Sequence, residues 1–313
     1  MVLGLGNSII SGAALDSGYV NQHSLQMDGV GDGLRVSRTS ALRFESTYSF
    51  TIGAWVSAED VWDTSGSTNF TIISCWDGGG WTLRCQNKKV SAVVDVNNGS
   101  GGTNENLSIL TGFRKHPFVN ADNSAIADTH FSTGDGGYQL IVMTLDSGTG
   151  VFKLYIGGGH PTLGATKDND VHLIGTANAT SGNDTINYAF ESYGNDVDVG
   201  IGYTPTNQTV DGATGSPSQY LEGFIDEVFM MNTALSQDQL KTVYNNGAGI
   251  DMTKASDALG GGAAYDPGSS LVGLWRMDEG GDATTVEDSS GNNHTATIQG
   301  DPDFSTIVRA AVT

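Results

Sequence analysis

The fold is decided by the stretch Ser49-Phe-Thr-Ile-Gly-Ala-Trp-Val56. Successive side chains of a β-strand point to opposite faces, so residues two apart share a face. The apolar residues Phe50, Ile52, Ala54 and Val56 follow that spacing. The alternation predicts a strand with one buried face.

Further short apolar runs of this kind recur along the chain and are separated by clusters of Gly, Asn, Asp and Ser. They cover residues 70–75, 81–85, 90–96, 138–145, 151–156, 197–203 and 223–230. Gly accounts for 44 of the 313 residues, which suits a chain with many tight turns. Regular short strands between turn clusters predict an all-β sandwich of two antiparallel sheets.

One short helix is predicted near residues 236–246. Ser236 and Gln239 have the spacing of a capping box, in which each side chain bonds the other residue's backbone N–H. Leu240, Val243 and Tyr244 give an apolar stripe at helical spacing.

Composition excludes several classes of protein. Lys and Arg number 14 against 35 Asp and Glu, a formal net charge of −21, so the chain lacks the basic footprint of a nucleic-acid binder. Hydrophobic residues make up 38 % of the chain, enough for a large core, which argues against disorder. No apolar run approaches the ~18 residues of a membrane span.

The two cysteines, Cys75 and Cys85, flank a Gly-rich turn. They form either a disulfide across a hairpin or two unlinked thiols in strands, where Cys acts as a small hydrophobe.

The chain is predicted to have four parts. Residues 1–20 form an apolar docking arm, 21–247 the sandwich, and 248–270 a Gly-rich crossing. Residues 271–313 are too few for a second sandwich, so they are expected to add strands to the first one.

Several segments resemble the laminin-G-like, concanavalin-A-like jelly-roll family. They are the opening pair at 24–36, the aromatic strand at 50–56, the closing strand and helix at 223–246, and the segments 271–280 and 288–294. The last two are similar to a motif that commonly opens such a domain, although here they follow the helix. A jelly roll with this kind of tail also resembles virion proteins of tailed bacteriophages.

The resemblance implies a structural calcium ion where the opening and closing strands meet. Asp226 is the side-chain candidate of the closing strand, and Asp28, Gly29 and Asp32 are candidates of the opening segment. Calcium prefers carboxylate and carbonyl oxygens at flexible turns. The alternative is that these Asp residues only stabilise turns beside Gly.

Glycosidase activity is not expected. The β-glucanase members of the fold carry carboxylates at alternating positions of one strand, so that they share a cleft. In the matching segment those positions hold Phe224 and Val228, and Glu227 belongs to the opposite face. The protein is therefore predicted to be non-enzymatic.

Glycan binding requires exposed aromatic rings on which sugars stack. Trp62, Trp76, Trp81 and Tyr203 lie in or beside predicted turns and are the candidates. The alternative for each is a place in the core.

Two functions compete. The first is a virion structural or decoration protein on the capsid or tail surface, present in many copies, bound to other virion proteins through the arm and able to adhere to glycans. The alternative is a secreted, extracellular bacterial module that binds or acts on carbohydrates.

Overall fold

The computed structural model describes residues 21–44, 49–58, 69–76, 79–86, 89–97, 104–110, 138–158, 170–179, 185–186, 197–205 and 218–306. The predicted docking arm, residues 1–20, and Trp62 lie outside these ranges. None of the helices in the described ranges has the length and apolar character that a membrane crossing requires.

The described chain is built mainly from short strands. The first nine are β1 Ser24–Asp28, β2 Gly33–Val36, β3 Phe50–Ala58, β4 Asn69–Trp76, β5 Gly80–Gln86, β6 Lys89–Asn97, β7 Asn104–Leu110, β8 Gln139–Asp146 and β9 Val151–Gly157. The others are β10 Val171–Asn178, β11 Thr185–Ile186, β12 Val199–Ile201, β13 Glu222–Met231, β14 Leu271–Trp275, β15 Thr285–Val286, β16 Ala296–Gln299 and β17 Asp303–Ser305.

These strands form two antiparallel sheets. One has eight described strands in the order β10-β9-β8-β3-β13-β1-β17, with β14 also paired to β13. The other has nine described strands in the order β11-β6-β5-β4-β12-β2-β16-β15, with β7 also paired to β6. The prediction of an all-β jelly-roll sandwich is confirmed.

The main core lies between the two sheets and is filled by alternate residues of each strand. Phe50, Ile52, Ala54 and Val56 of β3 all lie in this core, as their alternation predicts. Trp55 points the other way and belongs to a second apolar cluster on the outer side of the eight-stranded sheet.

The helix α1, Gln237–Tyr244, covers that second cluster. The predicted capping box is present: Ser236 Oγ accepts the Gln239 N–H at 3.2 Å, and Gln239 Oε1 accepts the Ser236 N–H at 3.0 Å. The ring of Tyr244 stacks on Trp55, with centroids 5.4 Å apart. The helix ends at Asn245, whose φ is 44°.

The Gly-rich residues 248–270 run over α1. Ala263 N donates to Asp238 O at 2.9 Å, and Thr242 Oγ1 donates to Ala263 O at 2.6 Å. A Cβ on Gly262 would lie 2.1 Å from Asp238 O. Glycine is required there because the backbones approach too closely for any side chain.

Residues 271–306 pair with both sheets. Strand β14 pairs with β13, β16 pairs with β2, and β17 pairs with β1. Trp275 is fully buried in the main core, where its Nε1 donates to His294 O at 2.8 Å.

The two cysteines are free and buried. Strands β4 and β5 place Cys75 opposite Trp81 and Cys85 opposite Phe70, so the two residues are not cross-strand partners. Of the two alternatives, the unlinked thiols are the ones found. Burial raises the pKa of Cys75 to about 12, which keeps this thiol protonated and unreactive at neutral pH.

Candidate functional site

The side of the nine-stranded sheet that faces away from the main core carries polar side chains on β4, β5 and β6, most of them buried. Trp81, Leu83 and Cys85 of β5 point into the main core, so the residues between them point outward. The same alternation on β6 turns further polar residues outward, and on β4 a bulge between Thr71 and Ile73 puts both Thr71 and Ser74 on this side. We call this set the polar face; it comprises Thr71, Ser74, Thr82, Arg84, Ser91 and Asp95.

Strand register brings the members of the polar face side by side. Ser74 lies opposite Thr82, and Arg84 lies opposite Thr71 on one side and Ser91 on the other. Directly opposite residues of antiparallel strands have Cβ atoms about 4.5–5.5 Å apart. The guanidinium of Arg84 is therefore surrounded by hydroxyl-bearing residues.

Three of the four hydroxyls of this face are buried without a partner, whereas Thr71 Oγ1 shares a hydrogen bond with Thr204 Oγ1 at 2.6 Å. Ser74, Thr82 and Ser91 are 0 %, 2 % and 1 % exposed. Ser74 Oγ, Thr82 Oγ1 and Ser91 Oγ make no hydrogen bond. An unmade hydrogen bond at a buried group costs about 1–3 kcal/mol, and these three groups on adjacent strands carry that cost out of contact with solvent.

Arg84 is partly exposed and is the charged member at the centre. Its Nη2 donates to Gln86 Oε1 at 3.4 Å, while Nε is buried and donates to no acceptor. Burial lowers the pKa of Arg84, yet guanidinium stays protonated at neutral pH.

Trp76 is the predicted stacking residue that joins this face. It ends β4 two residues after Ser74, so it has the same outward direction, and it is partly exposed. Its backbone pairs with Gly80, four residues before Arg84, which sets the two side chains about 13 Å apart along the strand. Trp76 follows Ser74 on the same side of β4, about 7 Å further along the strand.

The other described stacking candidates are buried. Trp81 is 0 % exposed and belongs to the main core, because its side chain points to the opposite side of β5 from those of Thr82 and Arg84. Tyr203 is 5 % exposed; its ring stacks on Tyr220 with centroids 5.9 Å apart, and burial raises its pKa to about 12. Neither ring is open for a sugar in this structure.

The opening candidates for calcium, Asp28, Gly29 and Asp32, form a turn. Asp28 Oδ1 accepts the Val30 N–H at 2.7 Å, and Asp32 Oδ2 accepts the Asp28 N–H at 3.2 Å. Asp32 Oδ1 accepts the Asp301 N–H at 2.8 Å. Burial raises the pKa of Asp32. Each carboxylate thus has the turn-stabilising role that the sequence left as the alternative.

Asp226 lies apart from that turn. Asp28 pairs with Glu222, four residues before Asp226, which separates the two carboxylates by about 13 Å along the strands. Asp226 is fully buried, and its Oδ2 accepts Asn21 Nδ2 at 2.6 Å. The four predicted ligands do not form one set, and the described residues contain no group of three or more His, Cys, Asp or Glu suited to a metal.

A buried amide oxygen of Asn21 lies beside Asp226 and suits a cation there. Asn21 Oδ1 is buried beside this carboxylate and accepts no hydrogen bond. An orphaned amide oxygen next to a carboxylate supplies two of the six to eight oxygens that calcium takes. The fit is limited to these two side chains.

A β-bulge separates Asp226 from the rest of its strand. The register with β3 slips between Asp226 and Phe229, and Glu227 has a φ of 42°. Phe224 and Val228 are buried in different apolar clusters. This segment holds no row of alternating carboxylates of the kind a glycosidase strand requires.

The six residues of the polar face were missed by the sequence analysis, which singled out only the adjoining Trp76. Their signal was available: Thr82 and Arg84 alternate with Trp81, Leu83 and Cys85. Small polar residues at the outward positions of three successive strands indicate a polar sheet surface.

Comparisons with known proteins support the fold. No family model and no curated protein matches the chain. Among solved structures, a candidate carbohydrate-binding protein from Bacteroides ovatus is similar with a TM-score of 0.52 at 13 % identity over 94 % of this chain. The match covers 62 % of that protein, so this chain spans less than two thirds of its length.

A second similar structure is the CBM40 domain of the Ruminococcus gnavus IT-sialidase, solved with bound α2,3-sialyllactose. Its TM-score is 0.42 at 14 % identity, over 70 % of this chain and 95 % of that domain. The prediction of a virion location gains no support from these comparisons.

Proposed function

We propose that this protein is a non-catalytic carbohydrate-binding module that acts outside the cell or on its surface. The observation that carries the proposal is a pair of partly exposed side chains on the outward side of the nine-stranded sheet, the indole of Trp76 and the guanidinium of Arg84. A sugar offers both complements, since its hydroxyls accept hydrogen bonds from a guanidinium and its C–H face stacks on an aromatic ring.

The fold supports the same proposal by analogy. A jelly-roll sandwich is shared with the candidate carbohydrate-binding protein from Bacteroides ovatus. Net charge of −21 suits an exposed protein that must stay dispersed. The protein is thus assigned the second of the two functions that the sequence left open, and its partners are glycans.

The test is a glycan-array screen of the full chain followed by calorimetric titration of the best ligand. Trp76→Ala is expected to weaken binding at least about tenfold, because it removes the stacking surface. Leu173→Ala is the matched control, since Leu173 is an exposed apolar residue of the other sheet, 42 % exposed. The control is expected to bind as the unmodified protein does.

A screen in which the intact protein binds no glycan would overturn the proposal. So would a ligand whose affinity is the same for the unmodified protein and for Trp76→Ala. Circular dichroism of each variant confirms that the sandwich is folded before binding is compared.

We also propose a structural calcium ion at Asp226, with Asn21 as the second side-chain ligand. Bound ligand stabilises the folded state by mass action, so EDTA is expected to lower the thermal midpoint by several degrees and added Ca²⁺ to restore it. Asp226→Asn is expected to remove the response to EDTA. An EDTA melting curve identical to that in Ca²⁺ would count against the ion.

A further inference from the structure

The outward side of the nine-stranded sheet is accessible to solvent on β2 and β16. Arg35 of β2 points outward because Leu34 and Val36, on either side of it, lie in the main core. The Arg35 side chain is 46 % exposed. Strand register places it opposite the exposed Thr297 of β16. A ligand from solution can therefore reach this part of the sheet, in contrast to the buried hydroxyls on β4, β5 and β6.

An ion pair on this surface lies beside Trp76. Continued by two residues, the register of β4 with β12 brings Trp76 next to Asp198, and neighbouring strands are about 4.8 Å apart. Arg35 Nε donates to Asp198 Oδ2 at 2.5 Å, and Arg35 Nη2 pairs with the same oxygen. Asp198 Oδ1 accepts the Arg38 N–H at 3.1 Å. A backbone hydrogen bond thus fixes the carboxylate next to the partly exposed indole.

The pair retains hydrogen-bonding groups for a ligand. The guanidinium of Arg35 has N–H donors beyond those of Nε and Nη2 that point to Asp198. Adjacent hydroxyls of a sugar suit such a pair, because one can donate to the carboxylate while the next accepts from the guanidinium. Since Asp198 balances the charge of Arg35, the pair suits an uncharged sugar.

A second aromatic side chain lies beyond the pair. The ring of Tyr203 covers Gly33, the next outward position of β2 from Arg35, because a Cβ on Gly33 would lie 2.4 Å from Tyr203 Cδ1. Tyr220 stacks on that ring, with 15° between the ring planes, and is partly exposed. By the register of β2 with β12, Gly33 lies about 13 Å along the strands from Asp198. The ion pair therefore lies between two partly exposed aromatic side chains.

We infer that an uncharged oligosaccharide binds across this surface, with sugars stacked on Trp76 and on Tyr220. The hydroxyls of the sugar between them bond the ion pair of Arg35 and Asp198. This inference rests on the proposed function and specifies its ligand class and the residues that recognise it. A monosaccharide reaches only one of the two aromatic side chains, so the surface selects for ligand length.

Ligand length provides the first test. The full chain is titrated calorimetrically with glucose, cellotetraose and laminaritetraose, and with mannose and mannotetraose. In at least one series the tetrasaccharide is expected to bind at least about tenfold tighter than its monosaccharide, because it contacts the ion pair and Tyr220 as well as Trp76.

Variants then assign the additional affinity. Arg35→Gln and Tyr220→Ala are each expected to weaken binding of the tetrasaccharide about tenfold and to leave binding of the monosaccharide unchanged. Tyr220→Phe keeps the ring and is expected to bind as the unmodified protein does. Lys241→Gln is the matched control, because it removes a cation from an ion pair with Asp170 at the other sheet.

The outcomes separate the inference from the proposed function. Equal affinity for the tetrasaccharides and their monosaccharides overturns the inference. Additional affinity that survives in either Arg35→Gln or Tyr220→Ala, or that is lost equally in Lys241→Gln, also overturns it. So does binding of none of these sugars by a protein that binds other glycans on the array. Each of these results leaves the binding module intact, whereas binding of no glycan at all overturns the proposed function itself.

Discussion

Removal of residues 271–313 is expected to abolish cooperative folding of the protein. These residues supply β14, β16 and β17, which pair with β13, β2 and β1. Their loss leaves backbone N–H and C=O groups of both sheets without partners, and buried backbone groups must be paired.

The side chains of the segment explain the size of the effect. Trp275, Met277, Val286 and Ala296 are fully buried in the main core. Burial of one large apolar side chain contributes about 1.5–3 kcal/mol, against a typical total stability of about 5–15 kcal/mol. Trp275→Ala alone is expected to cost about 3–5 kcal/mol, because it also leaves a cavity.

Thermal and urea unfolding, followed by near-ultraviolet circular dichroism, test this prediction. Thr284→Ala, a change at an exposed side chain of the same segment, is expected to alter stability by less than about 0.5 kcal/mol. A truncated chain that still unfolds cooperatively near the midpoint of the intact protein would show that the segment is peripheral.

Replacement of Arg276 by Leu is expected to destabilise the protein by about 3–5 kcal/mol at pH 7. Arg276 forms an ion pair with Asp251, and their side chains are only 14 % and 8 % exposed. The change leaves a buried carboxylate without its main counter-charge. Lys254→Gln is the matched control: it removes the other partner of Asp251, but Lys254 is 49 % exposed, so a loss below about 1 kcal/mol is expected.

The pH dependence gives a second measurement of the same pair. Burial raises the pKa of Asp251, but hydrogen bonds from Thr253 and the charge of Arg276 outweigh it and lower the pKa from 3.8 to about 2. A depressed pKa stabilises the folded state above pH 4, and that contribution is lost as the pH falls through 2. Arg276→Leu is therefore expected to lower the free energy of unfolding, relative to the intact protein, by less at pH 2 than at pH 7.

Urea midpoints of both proteins at the two pH values provide the comparison. An equal difference between the two proteins at pH 2 and at pH 7 would mean that the ion pair of Asp251 with Arg276 contributes nothing to stability.

The sequence predicted those parts of the fold that depend on local pattern. Phe50, Ile52, Ala54 and Val56 lie in the core as their spacing requires, and Ser236 with Gln239 begins the helix as a capping box. Such signals are contained within a few consecutive residues, so they need no knowledge of distant partners.

The candidate site was less predictable, because it depends on register between strands. Trp76 and Trp81 flank the same turn, yet one points outward and the other into the core. Only pairing across β4, β5 and β6 shows that Ser74, Thr82 and Ser91 form one surface. The bulge at Glu227 also carries no sequence signal, since a positive φ is uncommon for Glu.

The central claim is that glycans bind on the polar face, and tryptophan indole NMR tests it most directly. The chain has five Trp residues, and their ¹⁵N-labelled indoles are assigned by single substitutions. On titration with the tightest-binding glycan of the array, the Trp76 signal is expected to shift, whereas Trp55 beneath the helix and Trp275 in the core stay unchanged. An unmoved Trp76 signal at saturating glycan would contradict the claim.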